Sequence, residues 1–238
     1  MPTTRLRVTQ RRFRVVSVSV VTILLLLSAG VYALRLFKDL GRQDRIAQFF
    51  DVGVEASLPT AFSSFNLLLG AALAFLVHRA AVRYRRYWGI LSLLLLYLAI
   101  DESCQLHERV FPAMCPTVPG MDGEQLPIPW IPFALSAALL IGGAFIPFLL
   151  GISRRTAVFL VVGGVVYVAG AVVFEWVGYW MLAHGTERRD LIYAVRRLAE
   201  EGLEMYGVVI VNVTLFRELA GRTFVLEPGL ACPKRPGD

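Results

Sequence analysis

The sequence predicts an all-α polytopic membrane protein, a bundle of about six transmembrane helices. Of its 238 residues, 56% are hydrophobic and 18% are charged, and the mean hydropathy is +0.61. The apolar residues fall in separate blocks, several of which reach the roughly 20 residues that a helix needs to cross a bilayer. A soluble chain of this length could not bury five or six helices that are apolar all round.

Basic residues and a proline mark the boundaries of the first two spans. The first span is predicted over residues 15–37, after a basic cytoplasmic tail over residues 1–14 that contains five arginines. Residues 38–58 mix charged and apolar side chains, which is typical of a connecting segment at the membrane interface. The second span is predicted over residues 59–77, because Pro59 at a helix start loses no required hydrogen bond.

The next three spans are separated by loops of different character. The third is predicted over residues 88–107, and its last turn is the acidic sequence DESCQLHE. Residues 109–130 hold five prolines and are therefore predicted as a loop. The fourth and fifth spans are predicted over residues 131–150 and 158–181, with an aromatic belt at the far end of the fifth.

The sixth predicted span is the most polar. Only residues 203–216 are predominantly apolar, so a helix long enough to cross must include the polar turn over residues 197–202. The transmembrane domain is thus predicted over residues 15–218, followed by a flexible cytoplasmic tail over residues 219–238.

The distribution of lysine and arginine predicts the orientation. With six spans, fifteen of these residues fall on the side of the two termini and nine on the other side. The excess marks the cytoplasmic side, so the sequence predicts an N-in, C-in protein. Because most arginines adjoin apolar blocks, the net charge of +6 indicates topology and a lipid-bilayer partner, with no nucleic acid.

Ionisable residues near the spans gather on the non-cytoplasmic side, where four predicted helix ends bring acids to one level. A charge at membrane depth costs roughly 2.5–3.5 kcal/mol on insertion scales, so such residues usually face the bundle interior, pair, or mark a site. The candidate polar or metal-binding cluster consists of Asp101, Glu102, His107, Glu108, Glu175, Glu200, Glu201 and Glu204, with supporting residues Glu55, Ser63, Asn66 and Arg197.

Helical geometry places many of these residues on stripes, because side chains three or four positions apart share a face. Small residues on a stripe let a neighbouring helix approach closely. Each stripe is predicted to face inward, which brings the end of the third span against the start of the sixth. The stripes are Ser63, Asn66, Gly70 and Ala74 in the second span, Asp101, Cys104, Gln105 and Glu108 in the third, Gly164, Ala171, Glu175 and Gly178 in the fifth, and Arg197, Glu200, Glu201 and Glu204 in the sixth.

Four sequence elements carry a resemblance to a family. EASLPTAFSS precedes the second span, AIDESCQLHE closes the third, GGVVYVAGAVVFE lies in the fifth, and RRLAEEGLEMYG opens the sixth. Over most of residues 50–218 the chain resembles a family of bacterial multi-pass membrane proteins of unknown function, with DExxxxHE-like and EEGLEMxG-like motifs. The prediction is therefore a multi-pass protein of the bacterial cytoplasmic (inner) membrane, and the resemblance implies no activity.

Three uses of the acidic cluster remain open, and with them whether the protein is an enzyme. Carboxylates and imidazole suit a divalent metal of the Zn, Fe or Mn kind, held by His107 and carboxylates of the cluster. No HxxxH, HExxH or ExxH spacing supports this hypothesis. Alternatively, arginines pair with the acids at the water interface and close the outer ends of the helices, in a membrane scaffold or assembly protein. These arginines are Arg109, Arg188, Arg189, Arg196 and Arg197. The third use is a proton or solute path, since intramembrane acids serve that purpose as well.

The cysteines give two alternatives. Cys104 and Cys115 both lie on the predicted outer side and are able to pair in an oxidising compartment. Cys104 is otherwise predicted to be a small buried side chain. Cys232 is predicted to be a free cytoplasmic thiol.

Overall fold

The computed structural model describes residues 9–37, 44–54, 57–106, 118–119, 125–126 and 130–220. Within these residues the chain forms seven helices and one antiparallel pairing of β1 (Val118–Pro119) with β2 (Gln125–Leu126), so the predicted all-α fold is confirmed for this part of the chain. The helices are α1 (Gln10–Phe37), α2 (Arg45–Phe50), α3 (Leu58–Ala80), α4 (Arg85–Cys104), α5 (Trp130–Gly151), α6 (Arg154–Ala183) and α7 (Leu191–Ala220). The residues of interest outside the described ranges are Glu55, His107, Glu108, Cys115 and Cys232.

In the part of the chain that the structure describes, five helices are long and apolar enough to span a membrane, namely α1, α3, α4, α5 and α6. They correspond to the first five predicted spans, although α1 begins at Gln10, earlier than its apolar block. The sixth predicted span is also a helix, α7, but it is not among these five. It extends back to Leu191 and therefore includes the polar turn that its short apolar stretch requires.

α7 lies at the centre of the fold. It packs against α1, α3 and α6, and it buries more residues than any other described helix. Because its neighbours cover it on several sides, α7 does not need an apolar surface all round to lie within a bundle. This position explains how the most polar of the predicted spans forms a 30-residue helix.

Hydroxyl side chains cap the starts of α3 and α6. Ser57 Oγ accepts a hydrogen bond from the backbone N–H of Thr60 at 3.4 Å, and Ser153 Oγ accepts one from Thr156 at 3.3 Å. Pro59 lies in the first turn of α3, as the sequence predicts. The caps satisfy backbone donors that have no partner within the first turn.

The predicted continuation of the third span to residue 107 is wrong. Gln105 adopts the left-handed conformation, with φ of 57°, and its N–H donates to the Asp101 carbonyl, which closes α4 at Cys104. The predicted helical face across Cys104 and Gln105 therefore does not form. Cys104 is exposed, so the prediction of a small buried side chain is also wrong, while its pairing with Cys115 stays a prediction.

A π-helical turn, Ala169–Phe174, interrupts α6. Such a turn has hydrogen bonds one residue longer than those of an α-helix, so it shifts every face that follows it. All four residues of the predicted stripe, Gly164, Ala171, Glu175 and Gly178, line a cavity among the helices, so only the predicted close helix approach at Gly164 is wrong. The glycines of α6 that face α7 are Gly163, Gly170 and Gly178, whereas a Cβ at Gly164 would meet nothing within 4 Å.

These glycines let the backbones of α6 and α7 approach closely. A Cβ at Gly170 would lie 2.7 Å from the carbonyl oxygen of Glu200, and a Cβ at Gly207 of α7 would lie 2.6 Å from the backbone nitrogen of Tyr167. Any larger residue at either position would press its side chain against the backbone of the neighbouring helix. The close packing of small residues is a common way for apolar helices to associate.

The predicted stripe of α3 faces α7 and is buried. Asn212 of α7 donates from Nδ2 to the Asn66 carbonyl at 2.8 Å and to Asn66 Oδ1 at 2.8 Å. Asn66 Nδ2 donates in turn to the carbonyl of Met205 at 3.2 Å. A Cβ at Gly70 would lie 2.5 Å from Asn212 Oδ1, so glycine leaves room for the amide. The four residues of the stripe are Ser63, Asn66, Gly70 and Ala74.

α4 and α5 meet through aromatic rings at one end. We call Tyr84, Tyr87, Trp88, Phe145 and Phe148 the ring cluster. Its closest ring pairs are Trp88 with Phe148, with centroids 4.8 Å apart, and Tyr87 with Phe148, at 5.3 Å. In the rest of the described fold α4 packs on α3 and α5 packs on α6. The two helices therefore leave a space between them beyond the ring cluster.

Candidate functional site

A cavity of about 1540 Å³ lies among α4, α5, α6 and α7. Its walls are mainly aliphatic, with side chains such as Leu98 of α4, Ala138 of α5 and Val165 of α6. One end lies beside Phe145 and Phe148 of the ring cluster. The other end lies at the C-terminal part of α4, about 20 Å away at 1.5 Å per residue.

The far end of the cavity is lined by charged residues, and we call it the acidic end. Among the described residues, six carboxylates and three guanidinium groups line it. The cavity therefore brings together every described acid of the candidate cluster, together with the supporting residue Arg197. These residues are Asp101, Glu102, Glu175, Glu200, Glu201, Glu204, Arg188, Arg196 and Arg197.

The acidic end joins two parts of the sequence that are a hundred residues apart. Glu102 at the end of α4 interacts electrostatically with Glu201 and Glu204 of α7. Glu175 of α6 also interacts with Glu204. The structure thus brings the end of the third predicted span and the start of the sixth to one cavity.

Two supporting residues of the prediction lie elsewhere. Ser63 and Asn66 are buried at 3% and 4% exposure between α3 and α7, and neither lines the cavity. The amide of Asn66 serves the contact between these helices through its hydrogen bonds with α7. The predicted residues Glu55, His107 and Glu108 lie outside the described part of the chain.

Arg196 is held on several sides. Its guanidinium forms an ion pair with Glu200, with Nη2 2.8 Å from Oε2 and Nη1 3.1 Å from Oε1. Nη1 also donates to the carbonyl of Phe174 at 2.7 Å, at the last residue of the π-helical turn. The ring of Tyr193 lies 4.8 Å from the guanidinium carbon, and Gly178 leaves the space that the group occupies.

This ion pair bears on the hypothesis that arginines neutralise the acids. Arg196 is only 8% exposed, so its positive charge and the negative charge of Glu200 neutralise each other away from solvent. Sequence reasoning placed Arg196 among the interfacial arginines but did not assign it to the site. A usable signal was its spacing of four residues from Glu200, which puts both on one helix face.

Glu201 and Glu204 differ from Glu200. Neither forms a hydrogen bond or an ion pair with a described residue, and both are half-buried at the cavity wall. A Cβ at Gly170 would lie 2.8 Å from the Cγ of Glu204, so the missing side chain at Gly170 leaves room for the glutamate. These two carboxylates are therefore directed into the cavity.

Arg197 also lines the acidic end, where it contacts the segment that follows α2 and interacts electrostatically with Glu201. A Cβ at Gly53 would lie 2.6 Å from Arg197 Nε, so only glycine allows this contact. The segment is held by Asp51, which accepts from Tyr32 Oη at 2.8 Å and from the Gly53 N–H at 2.8 Å. Asp51 also pairs with Arg35 of α1.

The role of Asp51 and Gly53 was missed at the sequence level. Both belong to the connecting segment predicted to lie along the interface, whereas Asp51 is 3% exposed and Gly53 lines the cavity. No periodicity identifies a residue in such a short segment, because its packing depends on the distant Arg197.

The described residues contain no group of three His, Cys, Asp or Glu side chains arranged to hold a metal ion. The metal hypothesis therefore depends on His107 and Glu108, which lie outside those residues.

One comparison identifies a family. A family model described as "Domain of unknown function (DUF8692)" matches residues 15–219. The chain belongs to this family. The matched residues include all of the described helices that border the cavity, and the description of the DUF8692 family states no activity. No curated protein and no solved structure matches the chain.

Proposed function

We propose that this member of the DUF8692 family is a multi-pass protein of the bacterial inner membrane that binds an amphiphile in its cavity. The amphiphile has a hydrocarbon chain and a basic polar head. The observation that carries the proposal is the cavity itself, with aliphatic walls along its length and charged residues at one end. Its volume of about 1540 Å³ exceeds the roughly 300–1,000 Å³ of sites for small soluble ligands.

The head of the amphiphile sets its affinity. A chain that leaves water gains roughly 0.8 kcal/mol per buried CH₂. A chain that already lies in the bilayer gains little from the cavity, because lipid tails are as apolar as leucine. Selection among membrane lipids therefore depends on the acidic end.

The charges at the acidic end favour a cationic head. Among the residues that the structure describes, six carboxylates and three guanidinium groups line this end, and Arg196 is already paired with Glu200. Glu201 and Glu204 are directed into the cavity and lack hydrogen-bond partners among the described residues. An ammonium group between them would gain charge-assisted hydrogen bonds, each contributing roughly 1.5–3 kcal/mol.

The proposed topology has six spans with both termini in the cytoplasm. α7 supplies the sixth span, because α1, α3 and α6 separate much of its surface from lipid. The excess of lysine and arginine on the side of the termini supports the orientation. In this orientation the acidic end lies near the outer surface and the ring cluster near the cytoplasm.

Two adjacent glycines of α5 provide a matched test. A Cβ at Gly142 or Gly143 would meet nothing within 4 Å, but only Gly142 lines the cavity. Gly142→Phe therefore fills the cavity without a backbone clash, and Gly143→Phe adds the same ring outside it. Each variant is purified in detergent and titrated with a fluorescent long-chain alkylamine.

We expect Gly142→Phe to weaken binding of the alkylamine at least about tenfold, and Gly143→Phe to leave it unchanged. An alkyl sulfate with the same chain is the control for the head, and it should bind more weakly than the amine. Equal binding to both variants would refute the cavity as the site. Equal binding of amine and sulfate would refute the basic head.

A second candidate function is a proton or cation path. The observation that favours it is the pair Glu201 and Glu204, which face a cavity without described partners. Proton or monovalent-cation flux into liposomes that contain the protein would support it if Glu204→Gln abolishes the flux. A protein without binding and without flux fits a scaffold or assembly role.

A divalent metal of the Zn, Fe or Mn kind stays a separate hypothesis. It would use Glu201 or Glu204 with His107, and imidazole and carboxylate ligands suit all three metals. Metal analysis of the purified protein beside a Glu201→Gln/His107→Gln variant tests it. Stoichiometric metal that is lost in the variant would establish the metal site.

A further inference from the structure

The cavity is open to the outside of the bundle beside α5. Tyr97 of α4 and Leu139 of α5 line the cavity, yet 49% and 69% of their surfaces remain exposed. Both are mid-helix residues far from the loops, so the opening lies on the side of the bundle. In a bilayer such an opening meets hydrocarbon chains.

The contacts of α5 place the opening on its α4 side. α5 packs on α6 and touches the π-helical turn, Ala169–Phe174, near its other end. Its described contacts with α4 are those of the ring cluster, which hold only the last turns of α5. Within the described residues, the outer halves of α4 and α5 are therefore separated by the cavity.

The sequence of α5 weakens the helix just before the ring cluster. Pro147 has no N–H, so it cannot donate to the carbonyl of Gly143 in the preceding turn. Gly142 and Gly143 have no side chains to brace this turn, and no neighbour lies within 4 Å of their Cβ positions. Proline and paired small residues are the usual sites of helix bending.

We infer that the amphiphile enters and leaves sideways, directly from the bilayer, through the gap between α4 and α5. The outer half of α5 is the gate, and the ring cluster is its fixed end. The head then passes along the outer part of the gap to reach Glu201 and Glu204, where its charge is complementary. This inference rests on the proposed function, because it describes how the bound molecule exchanges.

A pair of cysteines across the gap provides the test. In a background with Cys104, Cys115 and Cys232 replaced by serine, Leu98→Cys on α4 and Ala138→Cys on α5 are joined by a bifunctional maleimide. The control pair, Leu91→Cys and Leu149→Cys, lies beside the ring cluster, where α4 and α5 already touch.

The protein is loaded with the fluorescent alkylamine in vesicles before it is cross-linked. Transfer of the alkylamine to acceptor vesicles is then followed with time. The bridge at Leu98 and Ala138 should slow transfer at least about tenfold without reducing the bound amount. The bridge at the ring cluster should leave the rate within about twofold of the uncross-linked protein.

The possible results separate the two proposals. Unchanged transfer through a bridge that is complete by mass spectrometry would overturn the gate and leave amphiphile binding intact. Equal slowing by both bridges would also overturn it, because the ring cluster is not part of the gap. Absence of alkylamine from the uncross-linked protein would overturn both the binding function and the gate.

Discussion

The substitution Gly178→Ala tests how Arg196 is held. A Cβ at this position would lie 2.1 Å from Arg196 Nη1, a distance at which the guanidinium must move. The guanidinium cannot move freely, because its Nη1 donates a hydrogen bond to the Phe174 carbonyl and its Nη2 forms an ion pair with Glu200. We therefore expect the substitution to break a buried ion pair.

The magnitude follows from two opposing effects. Breaking a buried ion pair and leaving one charge uncompensated costs roughly 3–5 kcal/mol. Alanine in place of glycine within a helix contributes up to about 1 kcal/mol in the opposite direction. The net loss in the free energy of unfolding is then about 2–4 kcal/mol, so the steric effect decides the sign.

Gly164→Ala is the matched control. It lies on the same helix and lines the same cavity, but a Cβ there would meet nothing within 4 Å. It should be neutral or stabilise by up to about 1 kcal/mol. Both variants are unfolded by SDS in mixed micelles, with tryptophan fluorescence as the signal. Equal unfolding free energies for Gly178→Ala and Gly164→Ala would refute the placement of Arg196.

Two further predictions concern the core and the topology. In a double-mutant cycle of Asn66→Leu and Asn212→Leu, each single change should leave a buried amide without its partner and cost about 1–3 kcal/mol. The double variant should then be more stable than additivity predicts, and strict additivity in SDS unfolding would show that the amides do not interact. A reporter active only in the cytoplasm should be active at the C-terminus, and activity of a periplasmic reporter there would contradict the six-span topology.

The sequence was sufficient to predict the five apolar helices. Each is a continuous apolar block of membrane-spanning length, and this property depends only on local composition. The polar α7 was predicted as a helix from its short apolar stretch, but its central position was not. Whether a helix lies at the centre of a bundle depends on which other helices pack against it, and the amino-acid composition of the helix does not contain that information.

Other features of the site depended on local backbone detail. Gly163 and Gly178 of α6 both face α7 although they lie on either side of the π-helical turn, because an assumption of 3.6 residues per turn fails across such a turn. The left-handed Gln105 ended α4 before His107 for a similar reason. Single-residue changes in helical geometry leave no clear pattern in one sequence.

The acidic residues were the part of the site that the sequence predicted best. Asp101, Glu175 and Glu204 were singled out because ionisable groups at membrane depth are costly and need an inward position. All three line the cavity. The aliphatic walls were not predictable in the same way, since a leucine that faces a cavity resembles one that faces lipid.

The central claim is that the cavity holds an amphiphile, and an electron cryomicroscopy map of the protein in lipid nanodiscs tests it most directly. We predict elongated density between α4, α5 and α6, with its wider polar end beside Glu201 and Glu204. The Gly142→Phe variant should lose that density, and Gly143→Phe should keep it. A cavity closed by contact of α5 with α4, or one without elongated density in the unmodified protein, would contradict the claim.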